Sequence, residues 1–185
     1  MKFLKTFFKA IAFYIYNSFI TNIPFYTIRH LYLRYFLKIK IGKGTAVHMG
    51  CFFSGTSISI GSNSVINRDC YIDGRGNGVR IGNNVSISPE AYILALDHMA
   101  QSGNFETVTR KTIIDDYAWI GVRALILKGV HVKYGSIVGA GAVLTRDTEP
   151  MDIVAGVPAR KIGKRTTDLT YTLNYFPLFN TDEVL

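Results

Sequence analysis

Asp97 and His98 stand side by side where a long regular pattern in the chain stops, and His98 is the side chain best suited to proton transfer. An unperturbed imidazole titrates near pH ~6.5, close enough to neutrality to take a proton from a hydroxyl and give it back. Asp97 offers a carboxylate to orient that ring. Neighbours along a strand point to opposite faces, however, so another carboxylate or a backbone carbonyl can fill the same role. The other histidines are weaker candidates: His48 and His131 fall on turns of the pattern, and His30 lies in a basic N-terminal segment. The only tryptophan, Trp119, sits just after the pattern resumes, and Arg160, Lys161, Lys164 and Arg165 cluster where it ends. Such a cluster suits charge-assisted bonds to phosphates and equally suits a solvated face.

The pattern that positions these residues has a period of six. Ile41, Val47 and Phe53 are followed by Ile60, Ile66, Ile72, then Ile81, Ile87, Ile93, and after a gap by Ile114, Ile120, Ile126, Val132, Val138 and Leu144. Four residues beyond each stands a compact residue, Thr45, Cys51, Ser57, Ser64, Cys70, Gly76, Val85, Ala91, Ala118, Ala124, Val130, Ser136, Ala142 and Thr148, with Asp97 the one charged exception. This period fits neither an α-helix nor sustained strand alternation. It predicts an all-β fold, a parallel β-helix over 41–159 with three short strands per coil and coils starting at 41, 60, 81, 114 and 132. The aliphatic fills the interior and the compact residue allows the turn. Gly42, Gly61, Gly82, Gly121 and Gly139, with Gly-Asn and Asn-Asn pairs, are expected to supply backbone angles other residues reach only with strain. Cys51 and Cys70 occupy equivalent places in adjacent coils, which predicts small core residues; a reducing cytoplasm is the simpler setting for two such thiols.

Between Ile93 and Ile114 the spacing is 21 residues where one coil takes 18, so residues 97–113 are expected to protrude as a loop. Loops on a rigid scaffold are where function concentrates. The other departure is at the N-terminus. Residues 1–68 carry nine basic and no acidic residues, against 12 basic and 13 acidic in the remainder. The basic residues are interleaved with aromatics, which argues against nucleic acid and for contact of residues 1–37 with a membrane surface, or for a cap on the main domain or on a neighbouring subunit. Ala10 to Ile28 is an uncharged run of 19 residues, but Asn17, Ser18, Asn22 and Pro24 interrupt it. Two amphipathic helices broken near Asn22-Ile23-Pro24 are expected within a 1–40 segment, and 160–185 is expected to be a C-terminal extension.

Over residues 41 to about 163 the chain resembles the hexapeptide-repeat acyltransferases, in particular the maltose, galactoside and polysaccharide O-acetyltransferases. The resemblance is carried by Trp119-Ile120-Gly121, Gly139-Ala140-Gly141 and Ala155-Gly156-Val157-Pro158-Ala159, in that order. It implies a left-handed β-helix, contrary to the usual crossover hand, and homotrimers with active sites between subunits. It implies acetyl-CoA as cosubstrate, with His98 as the base that deprotonates an acceptor hydroxyl. Trp119 and Gly121 then lie beside the cofactor arm, Ala140 offers its backbone to pantetheine, Thr145 and Arg146 lie near the cofactor's far end, and Arg160, with Lys161, meets the phosphates. Met99 stands where small-sugar enzymes carry proline, and Gly163 with Lys164 where close relatives carry arginine. The implied activity is O-acetylation of a sugar or glycan in the cytoplasm, at the inner face of the membrane if residues 1–37 reach it. The alternatives are N-acetylation of an amino sugar or a noncatalytic membrane-associated scaffold. No metal is expected, because only His98 lies at the loop and His131 is 33 residues away.

Overall fold

The computed structural model of the chain describes residues 2–175 and 179; of the expected extension 160–185, residues 176–178 and 180–185 lie outside the described residues, as does Met1. Short strands, each followed by a turn, wind into a left-handed three-sided solenoid. The first face stacks Lys40–Ile41, Ile58–Ile60, Val79–Ile81, Thr112–Ile114 and His131–Val132, all parallel. The second stacks Ala46–Val47, Val65–Ile66, Ser86–Ile87, Trp119–Ile120, Ile137–Val138 and Asp152–Ala155. The third stacks Phe52–Ser54, Tyr71–Asp73, Tyr92–Ile93, Leu125–Ile126 and Val143–Leu144. The sixth-residue aliphatics fall in register down each face, as in Ile41, Ile60, Ile81, Ile114, Val132. All are buried except Ile41, which is partly so, and together they form one continuous core. Cys51 and Cys70 are both interior.

Three expectations are corrected at the turns. Ser57, Gly76 and Asp97 are exposed, and the buried places due to them are taken by Ile58, Val79 and Thr112. Each correction follows extra residues in the chain, because the fold keeps the compact residue two before the next aliphatic rather than four after the last. The charged exception at Asp97 therefore disappears from the core. The inserted loop shifts with it. Thr112 rejoins the first face, so the excursion ends at residue 111 rather than 113, and from Leu96 it is an antiparallel hairpin of Leu96–His98 with Thr107–Thr109.

The third correction concerns glycine. None of Gly42, Gly61, Gly82, Gly121 and Gly139 has a positive φ. At Gly42 and Gly121 an added Cβ would stand 2.5 Å from the Gly61 carbonyl carbon and 2.6 Å from the Ala140 nitrogen, so these glycines are required by the closeness of the next coil. The left-handed angles belong to the residue directly before the compact position: Asn63, Asp69, Asn84, Glu90, Tyr117 and Arg123 among them.

The N-terminal segment forms α1 (Lys2–Ser18), a 3-10 turn at Ile20–Asn22 and α2 (Tyr26–Tyr35). Tyr16, Tyr26, Arg29, Leu33 and Leu37 are buried where these helices close the first coil. Asn17 seals the junction by donating to the Phe53 carbonyl and accepting from the Phe53 N–H. None of the described helices is long and apolar enough to cross a membrane. At the other end, Arg160–Lys164 turns back antiparallel on Asp152–Ala155 and so extends the second face, past the expected boundary at 159. The chain then returns along the solenoid toward the N-terminal helices. Tyr171 packs on Tyr117, the Leu173 N–H donates to Asn84, Tyr175 stacks on His48 and Phe179 meets Phe25.

Candidate active site

The hairpin carrying His98 leaves the corner between the third and first faces. Its base is fixed by the coil below: the turn at 74–78 packs under it, where Gly76 leaves no room for a side chain, since a Cβ there would lie 2.5 Å from Thr109 Cβ. Asn77 also donates to the Thr109 carbonyl. In the coil above, the Thr112 hydroxyl donates to the Leu94 carbonyl and accepts from the Gly129 N–H.

At the hairpin's end Phe105 holds His98 in two ways. The His98 Nδ1 lies 3.1 Å from the Phe105 carbonyl, and the two rings stack with centroids 3.9 Å apart. A carbonyl can only accept, so Nδ1 carries the proton and Nε2 keeps its lone pair. Phe105 is itself in the left-handed region, φ 53°, which turns its carbonyl toward the imidazole. Residue spacing carries no signal for Phe105, because the contact depends on this turn. Asp97 does not face the ring. Its carboxylate accepts from Lys128 Nζ at 2.8 Å and from the His98 backbone N–H, and the Lys128 ammonium, first, then that N–H hold it below the usual carboxylate range. The expectation that Asp97 orients His98 through its side chain is replaced by the Phe105 carbonyl.

A second group lies on the second face and the corner beside it. Trp119 is half exposed, and its Nε1–H donates to Ser88 Oγ, 3.1 Å away in the preceding coil. Nothing in the sequence pattern singles out Ser88; it pairs with Trp119 only because the two strands stack in register. Gly121 backs directly onto Ala140, and Ala140 and Gly141 are exposed, with open space where a Gly141 side chain would be. This leaves a strip of bare backbone beside the indole, a fit for a slender thioester arm. Arg160 at the end of this face is exposed and its guanidinium donates to the neighbouring Ala159 carbonyl, whereas Lys161 is ion-paired with Asp152. Arg165 donates to the Tyr117 and Gly135 carbonyls and so belongs to the scaffold. Thr145 and Arg146, both exposed, follow the third face and lie at the hairpin's corner in a later coil.

The structure thus brings Trp119, Gly121, Ala140 and Arg160 to one side and His98, Thr145 and Arg146 to another. In a three-sided solenoid the corner between the third and first faces is opposite the second face. Among the described residues no hydrogen bond or ring contact joins His98 to Trp119. Nor, among them, is any group of three or more His, Cys, Asp or Glu placed to hold a metal. Cys51 is fully buried, which pushes its thiol up, away from the thiolate a nucleophile needs.

No family model matches the chain. A chloramphenicol acetyltransferase from Klebsiella aerogenes is 38% identical over 78 residues, 42% of this chain and 34% of that protein. The galactoside O-acetyltransferase of Escherichia coli (strain K12) is 32% identical over 126 residues, 66% of this chain and 62% of that protein. The chain therefore spans less than two thirds of either relative's length. Among solved structures, AntD, an N-acyltransferase from Bacillus cereus in complex with dTDP and 3-hydroxybutyryl-CoA, superposes with a TM-score of 0.65 at 25% identity, covering 69% of this chain and 73% of that one. In repeat and fold the chain is similar to these acyltransferases, a left-handed β-helix of six-residue repeats.

Proposed function

We propose that the protein transfers an acetyl group from acetyl-CoA to a sugar. The observation that carries this reading is His98, held by Phe105 with Nε2 free, on a hairpin projecting from a scaffold whose structural relatives bind CoA. In this reading His98 Nε2 removes a proton from the attacking acceptor atom, that atom bonds to the acyl carbon, the carbon–sulfur bond breaks, and the imidazolium returns the proton to the departing sulfur. Trp119 and the strip at Gly121, Ala140 and Gly141 seat the thioester arm. Arg160 and Lys161 lie toward its nucleotide end on the strip's own subunit, with Arg160 the cation most available for phosphate, while Thr145 and Arg146 reach the arm from the subunit that supplies the hairpin.

His98 and the Trp119 strip face opposite sides of one chain, which supports a homotrimer in which one subunit's hairpin completes its neighbour's site. The likeness to AntD, an N-acyltransferase solved with dTDP, and to a structure solved with CoA and GDP-perosamine supports an amine on a sugar nucleotide as acceptor, ahead of the hydroxyl expected from the sequence. The similarity to the galactoside enzyme keeps the hydroxyl reading in play. Release of CoA thiol from acetyl-CoA, measured against a panel of amino-sugar nucleotides and neutral glycans, tests both. Turnover is expected with amino-sugar nucleotides, and its dependence on His98 is checked with His98→Asn. No release with any sugar, or undiminished release by His98→Asn, contradicts the assignment.

A further inference from the structure

The face of α1 turned away from the solenoid is apolar and bare. Phe3, Leu4, Phe7, Phe8, Ile11, Tyr14 and Ile15 are all exposed, Phe3 at 82%. At about 100° per residue they occupy one arc roughly 140° wide, with Lys5 and Lys9 on the opposite arc. From Phe3 to Ile11 every residue is exposed, and Lys9 reaches back to donate to the Thr56 hydroxyl of the solenoid. On α2, Ile28, Leu31 and Tyr35 form a second exposed stripe at i, i+3, i+7.

Between the helices a groove of about 420 Å³ is lined by Phe8, Lys9, Tyr35, Phe36 and Lys38, with Thr56 at its floor. It adjoins a cleft of about 240 Å³ that shares Lys38 and Thr56 and adds Lys40, Lys111, Ser57 and Ser59. Among the described residues no carboxylate pairs with any of these four lysines. An aromatic groove opening beside such ammonium and hydroxyl groups matches the two ends of a phospholipid, an apolar stem and an anionic phosphate.

We propose that this end of the molecule docks on an anionic phospholipid surface, with the α1 stripe in the interface and Lys38, Lys40 and Lys111 on lipid phosphates. Charge separates this occupant from a second copy of the chain. Residues 1–68 hold nine basic and no acidic residues, so an isologous pairing sets like charge against like, and the remaining 12 basic and 13 acidic residues offer no compensating excess. The helices lie on the bilayer rather than crossing it. This inference does not depend on the acyl-transfer reading.

Sedimentation of the full chain with vesicles tests it. Vesicles of equal parts phosphatidylglycerol and phosphatidylcholine are expected to bind the protein, pure phosphatidylcholine much less, with added salt weakening the difference. Replacing Lys38, Lys40 and Lys111 by Gln is expected to weaken binding by about a hundredfold, at roughly fivefold per lysine. Phe7→Ser with Phe8→Ser is expected to weaken it by about tenfold or more. Circular dichroism and melting of both variants should match the parent, since every changed side chain is on the surface. Equal binding to the two vesicle types, binding indifferent to both variants, or self-association abolished by Phe7→Ser with Phe8→Ser would each overturn the proposal.

Discussion

His98, Phe105 and Asp97 show a backbone carbonyl, one of the partners the sequence leaves open, orienting the ring while the adjacent carboxylate turns elsewhere. The Phe105 carbonyl fixes the tautomer, and Asp97 ties the hairpin strand to Lys128. Two outcomes follow for acetyl transfer. His98→Asn should lower kcat by about 10²–10⁴-fold with an unchanged melting temperature, as the loss of a general base does. Asp97→Asn should leave kcat within about threefold, because its oxygens do not contact the imidazole, whereas a positioned partner of the base would be worth far more. Measured kcat values for the two variants against the same acceptor check this pair, and an Asp97→Asn loss equal to that of His98→Asn would restore the carboxylate to the ring.

At the scale of the element, the ladder was legible because one aliphatic every six residues is both the sequence signal and the physical requirement of the interior. Its turns were less so. Residues are inserted after Phe53, Ile72 and Ile93, and counting four forward from these lands on Ser57, Gly76 and Asp97. The interior is filled instead by Ile58, Val79 and Thr112, each two residues before the next aliphatic. The hairpin and its support were illegible for another reason. Asn77 meets Thr109 across 32 residues of chain, beside Gly76, through a turn that carries no periodic mark. Two substitutions test this support. Thr112→Val strands the Leu94 carbonyl and the Gly129 N–H and should cost about 1–3 kcal/mol in urea unfolding. Gly76→Ala places a Cβ against Thr109 at a residue with φ 57° and should lower kcat more than stability, because the hairpin moves while the coils stay stacked. A Gly76→Ala enzyme with parental kcat would show that the turn does not position His98.

Over the whole molecule the helical cap, the solenoid and the proposed shared site are separate demands on one chain. The cap carries a pH dependence. His30 and His48 are pushed down to about 4, first by burial and then by nearby arginines, and His30 Nε2 accepts the Val47 N–H, which requires an unprotonated ring. With folded values below an unfolded value near ~6.5, the unfolded chain binds more protons in between, so this stability is complete above pH ~6.5 and is lost as pH falls toward ~4. Melting temperature should fall across that window, and less steeply in His48→Gln; a flat profile would contradict the buried neutral rings. In the proposed assembly the base and the thioester strip of one site come from two chains, and mixed trimers test this most directly. His98→Ala and Ala140→Trp subunits, each inactive alone, are unfolded together, refolded and assayed for acetyl transfer. If each site takes its hairpin from one subunit and its strip from the next, about a quarter of the sites in random mixtures are intact, and roughly a quarter of parental activity should return. Mixed trimers as inactive as either variant alone would contradict the shared site.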